Sequence, residues 1–329
     1  MNYLFDQIRR ACSLFFGVVI ASLWISPAFA LVDFPIGYAS TGGSYAFIAL
    51  IQQQRLLEQE GIRPAFIYIG GPQITQALIA GDLRMAIVAA ASPISAAARG
   101  ADLRFVGGVL DRDVISVVVD PTIRSPDALK GKRIAIDRFG DYTDYLARKY
   151  LQKIGLEPQK DVFLMQIGGQ TLRLAALRSG QVQAAFVGPP LTLVLQKAGF
   201  HLLANLGDLG FPSSSASFVV TRTTTERSEK EVYGVVRAVA KALAIYKADK
   251  EATFNAISHF MKVKERDSLE ETWRIHAKFY KSIPSPAVEG IKAVHDFLGQ
   301  TDRGVQELNF NQIIDTRFTD RLKREMGDK

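Results

Sequence analysis

The sequence predicts an α/β protein of two similar lobes, each a mostly parallel sheet flanked by helices, with a helical C-terminal tail packed on lobe one. Three observations predict it. An internal echo recurs at a spacing of 98 to 99 residues: Ile69-Gly70-Gly71 and, further on, Met85-Ala86-Ile87-Val88 answer to Ile167-Gly168-Gly169 and Gln183-Ala184-Ala185-Phe186-Val187. That spacing is far beyond solenoid periods and reads as two copies of one supersecondary unit. Within each copy, short β-rich runs alternate with helical stretches, the pattern of a parallel sheet covered by helices. After Thr221 the texture changes to helix alone.

In lobe one, strands are expected at Asp33–Ala39, Ala65–Ile69, Arg84–Val88 and Leu103–Val109. Helices are expected at Ser44–Glu60, Pro72–Ala80 and Pro93–Arg99; proline suits the first helical position because its missing N–H has no partner there. Ile115–Val119 is a β-branched run, and Ser217–Val220 resembles it. Between them lie strands near Lys132–Ile136, Val162–Gln166, Gln183–Val187 and His201–Ala204. Helices near Asp141–Ile154, Gln170–Ser179 and Pro190–Lys197 separate those strands, and Leu206–Ser215 is a Gly/Ser-rich connector. In the tail, Ser228 with Glu231 has the form of a capping box that opens a helix to about Lys247. Further helices follow at Ala252–Met261, Glu265–Lys281, Ala287–Leu298 and Thr316–Lys323. A tail of this kind needs a surface to cover, so the economical topology makes lobe two an insertion with crossovers near 109–115 and 205–220. The expected division is 1–30 as a leader, 31–112 with 221–329 as lobe one, and 113–220 as lobe two.

The leader is read from Arg9-Arg10, the apolar run Ala11–Ile25 and the small-x-small sequence Ala28-Phe29-Ala30. This is the layout of a secretory signal peptide cleaved after Ala30, and it implies export to the periplasm. The alternative is a retained anchor, for which the run is shorter than the ~20 residues that span a bilayer. Cys12, the one cysteine of the sequence, falls in this segment, so the remaining chain has no thiol for disulfides or metal. Without Asp6, Arg9 and Arg10 the formal charge falls from +7 to +6. Basic residues are dispersed, which argues against nucleic acid as a partner; a mild positive field favours an anionic ligand or is ordinary surface charge.

Ligands of open parallel sheets bind beyond the carboxyl ends of the strands, where helix N-termini offer free N–H groups. The repeat sets turns of that kind in both lobes. The candidate ligand-binding residues are Ser40, Thr41, Gly42, Gly43, Ser44 and Tyr45 after the first strand, Gly70 and Gly71 after the second, and Ala91 and Ser92 after the third. Their lobe-two counterparts are Arg138, Phe139, Gly140, Asp141, Tyr142 and Thr143, then Gly168 and Gly169, then Gly188 and Pro189. Each has a plain structural alternative: glycines serve backbone geometry, Ser and Thr cap helices, and Tyr45 and Tyr142 pack at core edges. Arg138 either clamps a carboxylate or sulfonate at two points or pairs with Asp137 or Asp141. Phe139 and Phe211 offer stacking surfaces, and Arg112, Asp113 and Asp208 are hinge candidates.

At this point the residues resemble a known family. Ser125-Pro126-Asp127-Ala128-Leu129-Lys130-Gly131-Lys132-Arg133-Ile134-Ala135 resembles the entry to the second lobe of exported solute-binding proteins. Ala175–Pro189 is similar to a later segment of the same lobe. Together they resemble type II periplasmic binding proteins of the sulfonate, nitrate and thiamine-precursor (SsuA/THI5-like, NMT1) group. Thr41-Gly42-Gly43-Ser44-Tyr45 also resembles the TAXI-type binding proteins of TRAP transporters. The resemblance implies a monomer that captures a small, anionic organic solute between its lobes and delivers it to the permease of an ABC-type importer. The alternatives are a TRAP/TAXI-type binding protein, a sensory ligand-binding module, and an exported enzyme on the same fold. Asp137-Arg138-Phe139-Gly140-Asp141-Tyr142-Thr143 departs from the short Gly-Ser/Thr-rich turn usual at the start of lobe two.

Catalytic signatures such as G-x-S-x-G, a Walker loop and H-E-x-x-H are missing from the sequence. His201, His259, His276 and His295 form no metal-ligand pair on one helical face. The expectation is therefore a binder with no catalytic residue, cofactor or metal, although fold alone does not exclude catalysis.

Overall fold

The computed structural model describes residues 30–110 and 112–327; the expected leader lies outside the described residues. The first sheet has the order β2-β1-β3-β10-β4, from Ile62–Tyr68, Val32–Tyr38, Met85–Val88, Ser217–Thr221 and Leu103–Gly108. The second has the order β7-β6-β8-β5-β9, from Phe163–Gln166, Arg133–Ile136, Ala184–Val187, Ser116–Val119 and His201–Asn205. β1 pairs in parallel with β2 and β3, as β6 does with β7 and β8. The echo in the sequence is therefore an echo of topology. In each sheet one strand runs antiparallel, β10 between β3 and β4 and β5 between β8 and β9.

The antiparallel strands are the ones that the crossovers deliver. Ser217–Thr221 was grouped with lobe two up to residue 220, yet it hydrogen-bonds into the first sheet. By sheet membership the return crossover thus falls between Asn205 and Ser217. β2 begins earlier than expected and contains Pro64, which an edge strand tolerates because one side of its backbone needs no partner.

Two of the expected helices and one expected cap differ in a way that has a local cause. Ser44–Glu60 is broken into a 3-10 turn at Gly43–Tyr45, helix α1 at Phe47–Gln53 and a second 3-10 turn at Glu58–Glu60. Arg55 adopts φ 49°, outside the helical region, so that Leu56 and Leu57 can turn into the core. After α2 (Gln73–Ala80), α3 runs over Ala91–Ala98 and starts before Pro93, which is allowed because the whole first turn lacks internal acceptors for its N–H groups. The capping box at Ser228 does not form. A short helix precedes it, so the Ser228 N–H bonds to Thr224 O and its side chain makes no cap bond.

Lobe two contributes α4 (Tyr142–Lys153), α5 (Gln170–Arg178) and α6 (Leu191–Lys197). The tail contains α7 (Arg222–Arg227), α8 (Glu229–Ala248), α9 (Lys250–Met261), α10 (Arg266–Phe279), α11 (Val288–Gly299), α12 (Arg303–Glu307) and α13 (Arg317–Gly327). α8 buries Val232, Val235, Val236, Val239, Leu243 and Tyr246, the three-and-four spacing of one helical face. These side chains join Phe34, Ile36, Phe47, Leu50 and Phe218 in the core of lobe one. A second apolar cluster runs from Ile74, Val88 and Phe105 of lobe one to Ile134, Leu146 and Phe186 of lobe two. No helix among the described residues is long and apolar enough to cross a membrane.

α10 also reaches lobe two. Lys197 Nζ lies 2.7 Å from Asp267, Thr192 Oγ1 donates to Glu271 at 3.0 Å, and Lys278 lies 2.8 Å from Asp208 of the return crossover. Residues 267, 271 and 278 share one helical face.

Candidate ligand cleft

The two lobes meet through the turns that the repeat singles out, and they meet crosswise. A Cβ placed on Gly42, in the turn after β1, would stand 2.8 Å from Gln170 Nε2, in the turn after β7. A Cβ on Gly71, after β2, would stand 2.7 and 3.0 Å from Arg138 Nη2 and Nη1, after β6. First turn faces second turn in both directions, the relation that a two-fold axis imposes on two copies of one unit. Both lobe-one positions are glycine, which leaves room for the opposing side chains.

The Arg138 side chain makes no hydrogen bond or ion pair with any described residue. The carboxylates beside it are differently placed or spent. Asp141 is the N-cap of α4 and accepts from Thr143 N at 2.8 Å, Asp144 N at 3.1 Å and Thr143 Oγ1 at 2.8 Å. Its carboxyl is pushed up to about 6, by burial first and by Asp137 next, against those donors. The guanidinium is therefore directed at lobe one without a protein anion to neutralise it. Phe139 beside it is 50 % exposed.

Other expected contacts are committed inside the protein. Tyr45 is buried and its hydroxyl donates to Ser215 O at 2.7 Å. Tyr142 is buried too. Its hydroxyl donates to Asp113 and accepts from Ser214 N at 3.2 Å, which joins α4 to both crossovers. Thr143 Oγ1 accepts from Asp137 N at 2.7 Å. Ala91 packs in the core and Ser92 Oγ lies 2.7 Å from Thr75 Oγ1. The Gly140 N–H goes to Asp144 and the Gly188 N–H to Gln170 Oε1 at 2.7 Å. Gly168 O accepts from Arg173, and Pro189 is buried. Phe211 lies in the apolar cluster that joins the lobes, so it offers no free stacking face. These residues shape the rim, and their polar groups are not free for a solute.

In lobe one the Ser40 hydroxyl accepts from Gly42 N at 3.0 Å, while Thr41 is exposed. The 3-10 turn at Gly43–Tyr45 has no side-chain cap, and Gly43 itself is buried. The turn is held from behind by α10. His276 Nε2 lies 3.2 Å from Ser44 Oγ, and its ring fills the space beside Gly43. Nδ1 lies 2.7 Å from Thr272 O, an acceptor, so Nδ1 carries the proton and Nε2 accepts from Ser44. Burial holds this imidazole neutral, with its pKa lowered to about 4.

Three residues thus matter that the sequence did not single out as site residues. His276 supports the first turn, Gln170 links two turns of lobe two, and Arg173 lies buried beneath them. Arg173 donates to Phe186 O at 2.9 Å and Gly168 O at 2.6 Å, and its pKa is lowered by burial. Gln170 carried a signal, its place directly after Gly168-Gly169; the other two carried none. A groove of about 430 Å³ lies elsewhere, lined by Arg112, Lys281 and Ser285–Gly290. The candidate site is placed at the facing turns because strand ends, helix starts and the uncommitted Arg138 converge there.

A family model described as NMT1/THI5 like matches residues 49–253. The chain belongs to the NMT1/THI5-like family. Within the wider fold, this NMT1/THI5-like chain is 26 % identical over 233 residues to an Escherichia coli (strain K12) protein named "Putative aliphatic sulfonates-binding protein", covering 69 % of this chain and 70 % of the relative. It also resembles the alkanesulfonate-binding protein SsuA of Xanthomonas axonopodis pv. citri, solved with MOPS bound. That likeness has a TM-score of 0.72 and 25 % identity over 87 % of this chain and 98 % of the other. The desulfurization enzyme DSZB shares the fold at a TM-score of 0.66 and 17 % identity, covering 89 % of this chain and 99 % of the other. The two-lobed periplasmic-binding-protein architecture is therefore common to binders and at least one enzyme.

Proposed function

We propose that this chain is an exported solute-binding protein that captures a small organic anion, a sulfonate or a carboxylate, between its lobes and delivers it to the permease of an ABC-type importer. The observation that carries the reading is the guanidinium of Arg138, set against Gly71 of the opposite lobe with no protein carboxylate paired to it. A cation of this geometry takes an oxyanion at two points. Phe139 offers an apolar face to the rest of the solute. The sulfonate-binding relatives support this class of ligand. Closure on a bound solute follows from population shift, because a ligand that touches both rims favours the state in which the rims are close.

The test is calorimetric titration with ethanesulfonate, taurine, nitrate and acetate, on wild type and Arg138→Ala. A micromolar ligand corresponds to about −8 kcal/mol. Loss of a charge-assisted clamp weakens binding by about 30- to 1,000-fold, with the melting temperature of the free protein unchanged because Arg138 holds nothing else in place. Equal affinity in the two proteins removes Arg138 from the site, and no binding of any of the four anions removes the anion reading itself.

A further inference from the structure

The crosswise meeting of the turns gives Gln170 the place in one half of the cleft that Arg138 has in the other. β1 and β2 are neighbours in register, Tyr38 opposite Tyr68, and β6 and β7 are neighbours with Ile136 opposite Gln166. Gly42 and Gly71 thus leave adjacent strands, and Arg138 and Gln170 leave the adjacent strands of the other lobe. Strands of a sheet lie about 5 Å apart, and both side chains cross to lobe one from beyond neighbouring strand ends.

The orientation of the Gln170 amide is settled by chemistry. Gly188 N is a donor and lies 2.7 Å from Oε1, so that atom is the carbonyl oxygen and the NH₂ group points the other way. That other way is toward Gly42. Nε2 makes no hydrogen bond with a described residue, and it is not among the buried atoms left without a partner, so it keeps contact with solvent. The bond to Gly188 also locks the third turn of lobe two to the second, which fixes the amide before any solute arrives.

Resting on the anion-binding reading above, we propose that Gln170 is a specificity-determining residue that donates through Nε2 to an oxygen of the bound solute. Arg138 takes the charge. Gln170 demands an acceptor beside it and disfavours solutes that present an ammonium or another donor there. The geometry makes this a neutral donor held in place, which distinguishes a solute by the polarity of its atoms as well as by its charge.

Gln170→Glu tests this with little change of shape, because a carboxylate still accepts from Gly188 N–H while its second oxygen becomes a charged acceptor. Calorimetry with ethanesulfonate, which stays ionised over the whole range, is run from pH 7.5 to 4.5. The expected result at pH 7.5 is binding about 10- to 100-fold weaker than wild type. The loss, taken against wild type at the same pH so that the titration of Asp141 is common to both proteins, shrinks toward pH 4.5, where the protonated carboxyl regains a donor. A role limited to tying Gly188 predicts no such pH response. Gln170→Met, which loses both bonds without adding charge, is expected to weaken binding about 10-fold at both pH values. Wild-type affinity in Gln170→Glu at pH 7.5, or a loss that persists unchanged at pH 4.5, overturns the inference about Gln170 alone. Failure of the wild type to bind ethanesulfonate or any of the other three anions overturns the reading on which it rests.

Discussion

Tyr142→Phe removes one oxygen from the point where lobe two meets both crossovers. In the native protein that oxygen donates to Asp113 and accepts from Ser214 N, while Ser214 O in turn accepts from Ala90 N of lobe one. Asp113 is 1 % exposed, its other oxygen accepts from Ile115 N at 2.7 Å, and burial pushes its carboxyl up to about 6 against these donors. At pH 7.5 the carboxylate is ionised. Phenylalanine then deletes a hydrogen bond to a charged group, about 1.5–3 kcal/mol, and leaves the Ser214 N–H without its partner, about 1–3 kcal/mol. The expected penalty is about 2.5–6 kcal/mol. At pH 5 native Asp113 already holds a proton, the lost bond is neutral, and the penalty falls to about 1.5–4.5 kcal/mol, lower by about 1–1.5 kcal/mol than at pH 7.5. Urea unfolding followed by circular dichroism at the two pH values measures both figures. A penalty under about 1 kcal/mol at pH 7.5, or the same penalty at both, would refute the assignment of Tyr142 as the tie between the crossovers.

Gly42→Ala has backbone angles that suit alanine, φ −74° and ψ 166°, so the free protein keeps its stability. Its new methyl meets Gln170 Nε2, and titration is expected to show an affinity for the bound anion about 10-fold weaker, with wild-type affinity as the contrary result. Asp141→Ala strips the cap from α4 and lowers stability by about 1–2 kcal/mol in the same unfolding assay. The pH dependence has a defined sign. His276, depressed to about 4, contributes stability that is full above its ordinary value near 6.5 and lost as pH falls toward 4. Asp113, raised to about 6, contributes stability that is full below its ordinary value near 4 and lost as pH rises through 6. Asp113→Asn removes only the second effect. Its stability relative to wild type is expected to climb by about 1.4 kcal/mol per pH unit between pH 4 and 6 and to level off above; a flat difference would contradict the burial argument.

The fold was legible because its signals are periodic. Strand positions follow from β-branched runs, the paired sheets follow from the echo between Ile69-Gly70-Gly71 and Ile167-Gly168-Gly169, and the covering role of α8 follows from the spacing of its valines. Glycine turns were legible as turns at strand ends for the same reason. What the sequence withheld is direction. Tyr45 and Tyr142 stand in the same turns as Thr41 and Arg138, yet the first two face inward and the last is free, because a hydroxyl on a large apolar ring is drawn to a buried partner while a guanidinium is not. His276 is some 230 residues from Ser44 in the chain and only tertiary packing brings them together. The capping box at Ser228 failed for the opposite reason, since a local motif yielded to a short helix placed just before it.

The position of β10 has a consequence for how the protein is made. It lies between β3 and β4, so those two strands are joined only when residue 217 and its neighbours arrive between them. Lobe two, by contrast, draws all five of its strands from one continuous stretch between Ser116 and Asn205. The later-numbered lobe therefore has the means to form first as a chain emerges, while the lobe that opens the sequence waits for its middle strand and for α8 to cover it. Long-range closure of this kind is slow, and it keeps the N-terminal third of the molecule an unfinished sheet until most of the chain is free to fold.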